Sequence, residues 1–410
     1  MRQQGVKNCG NCRRSRRVGP MKDLFNTGIE ELPGFSFNCS CGKRHSVDIE
    51  KLVVRNGILD ELVNGLMPFK GGKLLVITDN NTHDIFGGSV IAHLEKEGFQ
   101  LKSFVYPKGN HDLIPDEHAI GRLLIELEQE TSLLLAVGSG VLNDLARIVA
   151  FRTNKPFAIV GTAPSMDGYA SVVSPLIING KKLTFPGKYP YAIFADTSIM
   201  KNAPMVMIRA GYGDVLGKLT ALADWQMSRI MIGEYYCETT AKLVQNGVGK
   251  CVESTEGLAA RDEKAIRHLI EALILTGISM GLVGISRPAS GTEHQLAHYW
   301  EVKAIEAGRE HPLHGNAVGT ATVVTAMLYE LAADLLPAGI DYPSVGLVTG
   351  LLEKIGATVS PKELGIDRVL FADSLLNAMY LRDKYTLLRF CESKGKLTEF
   401  ADILVRRFYD

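Results

Sequence analysis

With 410 residues the chain can bury two cores, and 45 Lys+Arg against 45 Asp+Glu leaves no net charge, which argues against nucleic acid as its main partner. Its 46% hydrophobic and 22% charged content is that of an ordinary soluble enzyme, and seven cysteines in this length do not make a disulfide scaffold. No apolar leader is evident, and the most apolar stretch, ALILTGISMGLVGI (272–285), is shorter than a bilayer span, so a buried helix, no membrane span and a cytoplasmic setting are expected.

Four cysteines cluster near the N-terminus: Cys9 and Cys12 in CGNC, then Cys39 and Cys41 in CSC, with His45 just beyond. Such pairs can close a small structural zinc site; the alternative is a flexible leader whose thiols do nothing specific. The run RRSRR (13–17) reads as a solvated tail, and Cys237, Cys251 and Cys391 read as scattered, reduced thiols. Residues 1–45 are therefore set apart as a Cys/Arg-containing leader.

From residue 46 to 200 short β-like runs alternate with amphipathic helices. The runs are KLLVITD (73–79), LKSFVYP (101–107), SLLLAVGSG (132–140), PFAIVGT (156–162) and YAIFADT (191–197). Continuous apolar strands separated by helices predict a parallel sheet covered on both faces. LIINGKKLTF (176–185) differs, because Asn179-Gly180 predicts a hairpin. From 201 to 410 helical periodicity dominates, with breaks expected at Pro204, Gly211, Pro288, Pro312 and Pro337. The fold class is thus an α/β, Rossmann-like nucleotide-binding domain followed by an all-helical domain.

In AVGSGVLNDLAR (136–147), Gly138, Ser139 and Gly140 fall between a strand and a helix, where a backbone can approach a diphosphate. A plain strand-to-helix turn explains the same residues. Asp79, ending its strand, is placed either to accept from a ribose diol, which favours NAD over NADP, or to cap the next helix. GTAPSMDGYASVVSP (161–175) follows a strand and offers Thr162, Ser165, Asp167 and Ser171 to a ligand; an inert surface loop is the alternative.

GYGDVLGKLTALADW (211–225) sets Asp214 near an expected helix start, where capping is its simplest use. GTEHQLAHYWE (291–301) carries His294 and His298 one helical turn apart, on one face. This has the spacing of the HExxH helix of zinc proteases, but Gln295 stands where the general-base Glu would be, so peptide hydrolysis is excluded. HPLHGNAVG (311–319) adds His311 and His314. One carboxylate and two imidazoles make a borderline N/O metal site with positions open for substrate, although any single histidine here, taken alone, is better explained as structural.

Taken in order, TAPSMDGYAS, GYGDVLGK, EHQLAH and HPLHGNAVG resemble the sn-glycerol-1-phosphate dehydrogenases, particularly their bacterial AraM-like branch. These sit in a wider group with metal-dependent glycerol dehydrogenases, iron-type alcohol dehydrogenases and 3-dehydroquinate synthases. The resemblance implies a dehydroquinate synthase-like architecture and reduction of dihydroxyacetone phosphate to sn-glycerol 1-phosphate by NAD(H) or NADP(H). It implies Asp214, His294 and His314 as ligands of one divalent metal, Ni2+ or Zn2+, and His298 as a catalytic residue beside the substrate. Asp167 would contact substrate and serve catalysis, and Asp214 would touch substrate too. Gly138, Ser139, Gly140, Val141, Leu142, Thr162, Ala163, Pro164, Ser165 and Ser171 would hold the dinucleotide, with Asp79 on the adenosine ribose. A homodimer active in phospholipid synthesis is a further expectation of the resemblance.

Three rival readings remain open at this level. A relative acting on a non-phosphorylated alcohol is one; Lys218 is the nearest suspect for a phosphate partner, or else a solvated helix residue. A dehydroquinate synthase-like cyclase is another, but it needs several basic residues, and none cluster in sequence around Asp214 and His294. The third is a zinc module on an inactive scaffold.

Overall fold

The computed structural model describes residues 24–25, 27–107 and 113–410. Cys9, Cys12 and the 13–17 arginine run lie outside these.

A small antiparallel hairpin comes first, β1 (Ser36–Asn38) with β2 (Arg44–Ser46). A parallel sheet follows, built from β3 (Lys51–Arg55), β4 (Lys73–Asp79), β5 (Gln100–Tyr106), β6 (Thr131–Gly138) and β7 (Phe157–Gly161). After a second hairpin, β8 (Val173–Ile178) and β9 (Lys181–Pro186), the chain returns as β10 (Ala192–Asp196) and slots between β3 and β7. The sheet order is β3-β10-β7-β6-β4-β5.

The strands are largely apolar on both faces, as a covered parallel sheet requires, except at the edge, where Gln100 and Ser103 of β5 are exposed. In β4, Leu74 and Val76 enter one core with Leu133, Leu135 and Val160, while Leu75 and Ile77 enter the opposite core with Leu134, Ala136 and Ile159. Helices α1 (Leu59–Leu66), α2 (Gly88–Lys96), α3 (Glu117–Glu126) and α4 (Gly140–Arg152) make the crossovers. From β4 the chain moves outward to β5, then returns to the other side of β4 as β6. That reversal opens a crevice between the carboxyl ends of β4 and β6, where such sheets bind ligands. Asn179 and Gly180, at φ 52° and 69°, turn the β8–β9 hairpin with Ile178 paired to Lys181, as their sequence predicts.

The rest is helical, with long elements α5 (Met205–Ile232), α6 (Glu238–Glu253), α7 (Glu263–Val283), α8 (Thr292–Glu306) and α9 (His314–Leu331). Shorter helices α10 (Val345–Lys354), α11 (Arg368–Asn377), α12 (Leu387–Ser393) and α13 (Leu397–Tyr409) pack a separate core against α8 and α9 around Trp300, Phe371 and Phe390. Helix α7, apolar enough to span a bilayer by composition and length, instead buries Leu273, Ile274 and Ile278 in the core shared with the sheet.

Pro204, Pro288 and Pro312 fall outside the helices, just before or between them. Gly211 does not break α5, contrary to expectation. A glycine inside a helix costs only about 1 kcal/mol, and here contact requires it: a Cβ at Gly211 would lie 1.8 Å from the Pro164 carbonyl oxygen. Asp214 is accordingly well inside α5 and caps nothing, which corrects its expected place at a helix start.

Candidate active site

Three helices meet at glycines. A Cβ on Gly213 would come within 2.4 Å of the Gly315 carbonyl oxygen, and one on Gly315 within 1.9 Å of the Ala210 carbonyl oxygen. Small residues therefore let α5 and α9 touch backbone to backbone, which carries Asp214 up to His314. Helix α8 brings His294 to the same point. One ligand atom from each of Asp214, His294 and His314 falls within 4.8 Å of the others.

His294 Nδ1 donates to Glu293 Oε1 at 2.7 Å, which leaves its Nε2 lone pair facing Asp214 Oδ1 at 3.5 Å. Glu293 is itself fixed by the Gly291 N–H (2.7 Å) and the Thr220 hydroxyl (2.7 Å). Burial is the largest single influence and opposes its charge, but the bond and charge of His294 together with the Gly291 and Thr220 donors outweigh it and hold the carboxyl below its usual range. A carboxylate behind a histidine that presents its other nitrogen is the support metal-binding imidazoles have. His314 Nδ1 is buried with no hydrogen-bond partner, and Glu301 Oε2 lies 3.9 Å from it. One carboxylate oxygen and two imidazole nitrogens within 4.8 Å of one another fit a divalent cation.

Asp214 Oδ1 also takes Lys218 Nζ at 2.5 Å, and its Oδ2 accepts the Asp167 backbone N–H at 3.0 Å. Lys218 reaches Asp167 Oδ2 at 2.8 Å. The loop after β7 is thus tied to α5 by a buried lysine, which is not the solvated helix residue its sequence allowed. Burial works against both charges; pairing wins, pushing Asp214 well below the carboxylate range and Lys218 above the usual lysine value.

His298 stands beside this cluster, its ring stacked on His314 at 5.1 Å between centroids and 5.8 Å from His294. Burial, then Arg382 and Lys182, push its imidazole well below the ordinary value, so it is neutral. Lys182 comes from β9 and pairs with Glu301 Oε2 at 2.5 Å, while Arg382 donates to Thr184 Oγ1 at 3.4 Å. Cations do gather near the histidines, which corrects the reading from sequence; they arrive from distant segments. His311 stays peripheral, with Nδ1 3.0 Å from the Pro312 carbonyl.

The residues named for the dinucleotide fall at the carboxyl ends of β4, β6 and β7 and in the segments that follow them. Thr162 N–H donates to the Gly138 carbonyl at 3.1 Å, joining the loops after β6 and β7. A Cβ on Gly138 would sit 2.4 Å from Leu142 Cδ1, so a side chain there would have to displace Leu142, which is itself core. Gly140, Val141, Ala163, Pro164 and Ser165 border the same turn, with Met166 against Gly140. Ser139 precedes the first residue of α4 and makes no side-chain cap there. Asp79 ends β4 next to β6 and caps the following turn, Oδ1 accepting from Thr82 N–H at 2.7 Å. Ser171 spends its hydroxyl locally, donating to the Val173 carbonyl (3.0 Å) and accepting from Val173 N–H (3.1 Å). Sequence reasoning overlooked Glu293, Lys182 and Arg382; only Glu293, directly before a ligand-type histidine, carried a signal.

A nucleotide crevice facing a carboxylate–histidine cluster defines the class: an NAD(P)-linked, metal-dependent dehydrogenase of the iron-containing alcohol dehydrogenase type. The family described as iron-containing alcohol dehydrogenase matches residues 53–204. Maleylacetate reductase from Rhizobium sp. strain MTP-10005 shares the fold, with TM-score 0.68 at 15% identity over 89% of this chain and 97% of that one. The chain is 34% identical to a glycerol-1-phosphate dehydrogenase (NAD(P)+) of Halalkalibacterium halodurans, over 89% of this chain and 98% of the relative. It is 35% identical to that of Bacillus subtilis, over 84% and 91%. The chain belongs to the glycerol-1-phosphate dehydrogenase family.

Proposed function

We infer that the chain reduces dihydroxyacetone phosphate to sn-glycerol 1-phosphate with NADH or NADPH. The observation that carries this is the convergence of Asp214, His294 and His314 within 4.8 Å, on helices pressed against the loop after β7. These three would hold one divalent ion, Ni2+ or Zn2+, both of which suit this donor set. When bound, the ion polarises the substrate ketone and the reduced dinucleotide supplies hydride to its carbon.

The chain's own side chains do the rest. Glu293 fixes the His294 tautomer so that Nε2 faces inward. Lys218 holds the Asp167 loop to α5 and keeps Asp214 ionised. His298, neutral and beside the cluster, relays the proton: one ring nitrogen gives its proton to the new alkoxide oxygen while the other takes one from solvent. Lys182 and Arg382 are the cations available to the substrate phosphate, a role Lys218 cannot serve while it neutralises two carboxylates. On the other side of the crevice, Gly138 to Leu142 and Thr162 to Ser165 would receive the diphosphate. Asp79 at the end of β4 would meet the adenosine ribose and weaken binding of a 2′-phosphate.

The test is NADH oxidation by metal-depleted protein supplied with dihydroxyacetone phosphate, before and after adding Ni2+ or Zn2+, with an enantioselective assay of the product. Metal-dependent formation of sn-glycerol 1-phosphate is expected. Turnover of free dihydroxyacetone in preference to the phosphate would reject the substrate assignment, and equal turnover without metal would reject the role of the cluster.

A further inference from the structure

We propose that Cys39, Cys41, His45 and Cys237 form a closed tetrahedral zinc site that fastens the N-terminal hairpin to the helical part of the chain. One ligand atom from each lies within 4.8 Å of all the others. Cys39 Sγ is 3.6 Å from Cys237 Sγ, Cys41 Sγ is 3.3 Å from His45 Nε2, and Cys237 Sγ is 3.6 Å from the same nitrogen. A tetrahedron with Zn–S about 2.3 Å and Zn–N about 2.0–2.1 Å has S···S edges near ~3.8 Å and S···N edges near ~3.5 Å. Those three edges stand near that spacing, the remaining ones lie within 4.8 Å, and the three cysteines are free thiols.

The surroundings are those of a ligand set. His45 is buried, and its Nδ1 donates to the Leu282 carbonyl at 2.6 Å, near the end of α7. That bond fixes the tautomer and leaves the Nε2 lone pair pointing at the sulfurs. The sulfurs receive hydroxyl donors: Tyr235 O–H to Cys41 at 3.2 Å and Thr240 O–H to Cys237 at 3.2 Å. Lys43 Nζ lies 3.7 Å over the Tyr235 ring and brings positive charge to a site that three thiolates leave at net −1 with zinc. Cys39 and Cys41 leave the hairpin through a tight turn, in which Gly42 at φ +84° donates to the Cys39 carbonyl at 3.1 Å. Cys237 is fully buried directly before α6.

Zinc loading replaces three thiol protons, which pass to solvent, and leaves no open coordination position, so the site is structural. It joins three parts of the chain: the β1–β2 turn, the start of α6 and, through His45, the end of α7. It shares no residue with the Asp214 cluster and stands or falls independently of the reaction proposed above.

Cobalt substitution of the full-length chain separates the two sites, since only thiolate ligands give a near-ultraviolet sulfur-to-cobalt charge-transfer band. We expect that band, with strong tetrahedral visible bands, in the unmodified chain and in His294→Ala, and its loss in Cys237→Ser. Zinc bound per chain should fall by one equivalent in Cys237→Ser. His45→Cys should keep the band and strengthen it, which guards against a Cys237 variant that merely misfolds. Cys9→Ser combined with Cys12→Ser should leave the spectrum unchanged. Absence of the band in the unmodified chain, its survival in Cys237→Ser, or its loss in the Cys9/Cys12 variant would overturn the assignment.

Discussion

Lys218 Nζ and Asp214 Oδ1 lie 2.5 Å apart, one turn along the same helix, with both side chains shut off from solvent. A second carboxylate, Asp167, closes on the same ammonium at 2.8 Å. The lysine is therefore the resident counter-charge of the site proposed to take a divalent ion. Lys218→Met would leave two carboxylates facing each other, and breaking a buried pair this way costs roughly 3–5 kcal/mol. The loss should be largest in metal-depleted protein and smaller with Ni2+ or Zn2+ bound, because the ion then supplies positive charge to Asp214. Denaturant unfolding with and without metal measures this, and an identical loss in both states would count against a cation at Asp214.

Glu293 acts only through His294. Glu293→Gln keeps the shape but removes the charge, and support of this kind is typically worth about 10–100-fold in metal affinity. We expect weaker metal binding by that factor, with kcat largely restored at saturating metal. A kcat that stays low when the metal is saturating would instead give Glu293 a direct part in the chemistry.

Most of the sheet was legible because β4, β6, β7 and β10 are continuous apolar runs separated, for the most part, by amphipathic helices; Asn179-Gly180 announced the hairpin equally well. By contrast β3, a short run between charged ends, does not read as a strand. The histidines were legible as chemistry because a pair four apart shares a helix face. What sequence could not supply was contact across the fold. Cys237 looks solitary at residue 237, and only folding brings it to a hairpin some two hundred residues earlier in the chain. Gly211 reads as a helix breaker, yet it and Gly213 are the contacts on which α5 meets the Asp167 loop and α9. Lys182 and Arg382 sit in unrelated segments, so no local pattern shows that the charges of both act on His298.

As the proposed partners of the substrate phosphate, those two cations would set substrate choice. Lys182→Met and Arg382→Met should each lower kcat/KM for dihydroxyacetone phosphate by about 10–100-fold, the value of a charge-assisted hydrogen bond of roughly 1.5–3 kcal/mol. Turnover of free dihydroxyacetone should hardly change. Parallel kinetics on the two substrates decide the point, and equal losses on both would assign the cations to holding Glu301 and the helix end.

His298→Asn removes the relay while leaving Asp214, His294 and His314 in place. Loss of general acid help predicts kcat lower by roughly 10²–10⁴-fold. Bound metal per chain should not change, as measured by elemental analysis. A fall in metal content together with activity would make His298 a ligand.

The start of α8, which carries both histidines, is held by Asp224. This buried carboxylate accepts the Thr292 N–H at 2.6 Å, the Thr292 hydroxyl at 2.8 Å, the Tyr329 hydroxyl at 2.6 Å and the Leu387 N–H at 3.1 Å. Burial and the nearby Glu293 charge outweigh those donors and push its carboxyl up to about 6. A carboxyl raised on folding binds its proton more tightly in the folded than in the unfolded chain. Its contribution therefore favours the fold at acid pH and fades as pH rises from the ordinary carboxylate range through about 6. Asp224→Asn lacks that titration and turns a donor toward groups that already donate, so it should be destabilised at every pH. Its deficit relative to the unmodified chain should widen between pH 7 and pH 5, by ~1–3 kcal/mol. Urea unfolding of both proteins across that interval measures the difference. A deficit that narrows toward pH 5 would mean that the four donors hold Asp224 ionised against burial.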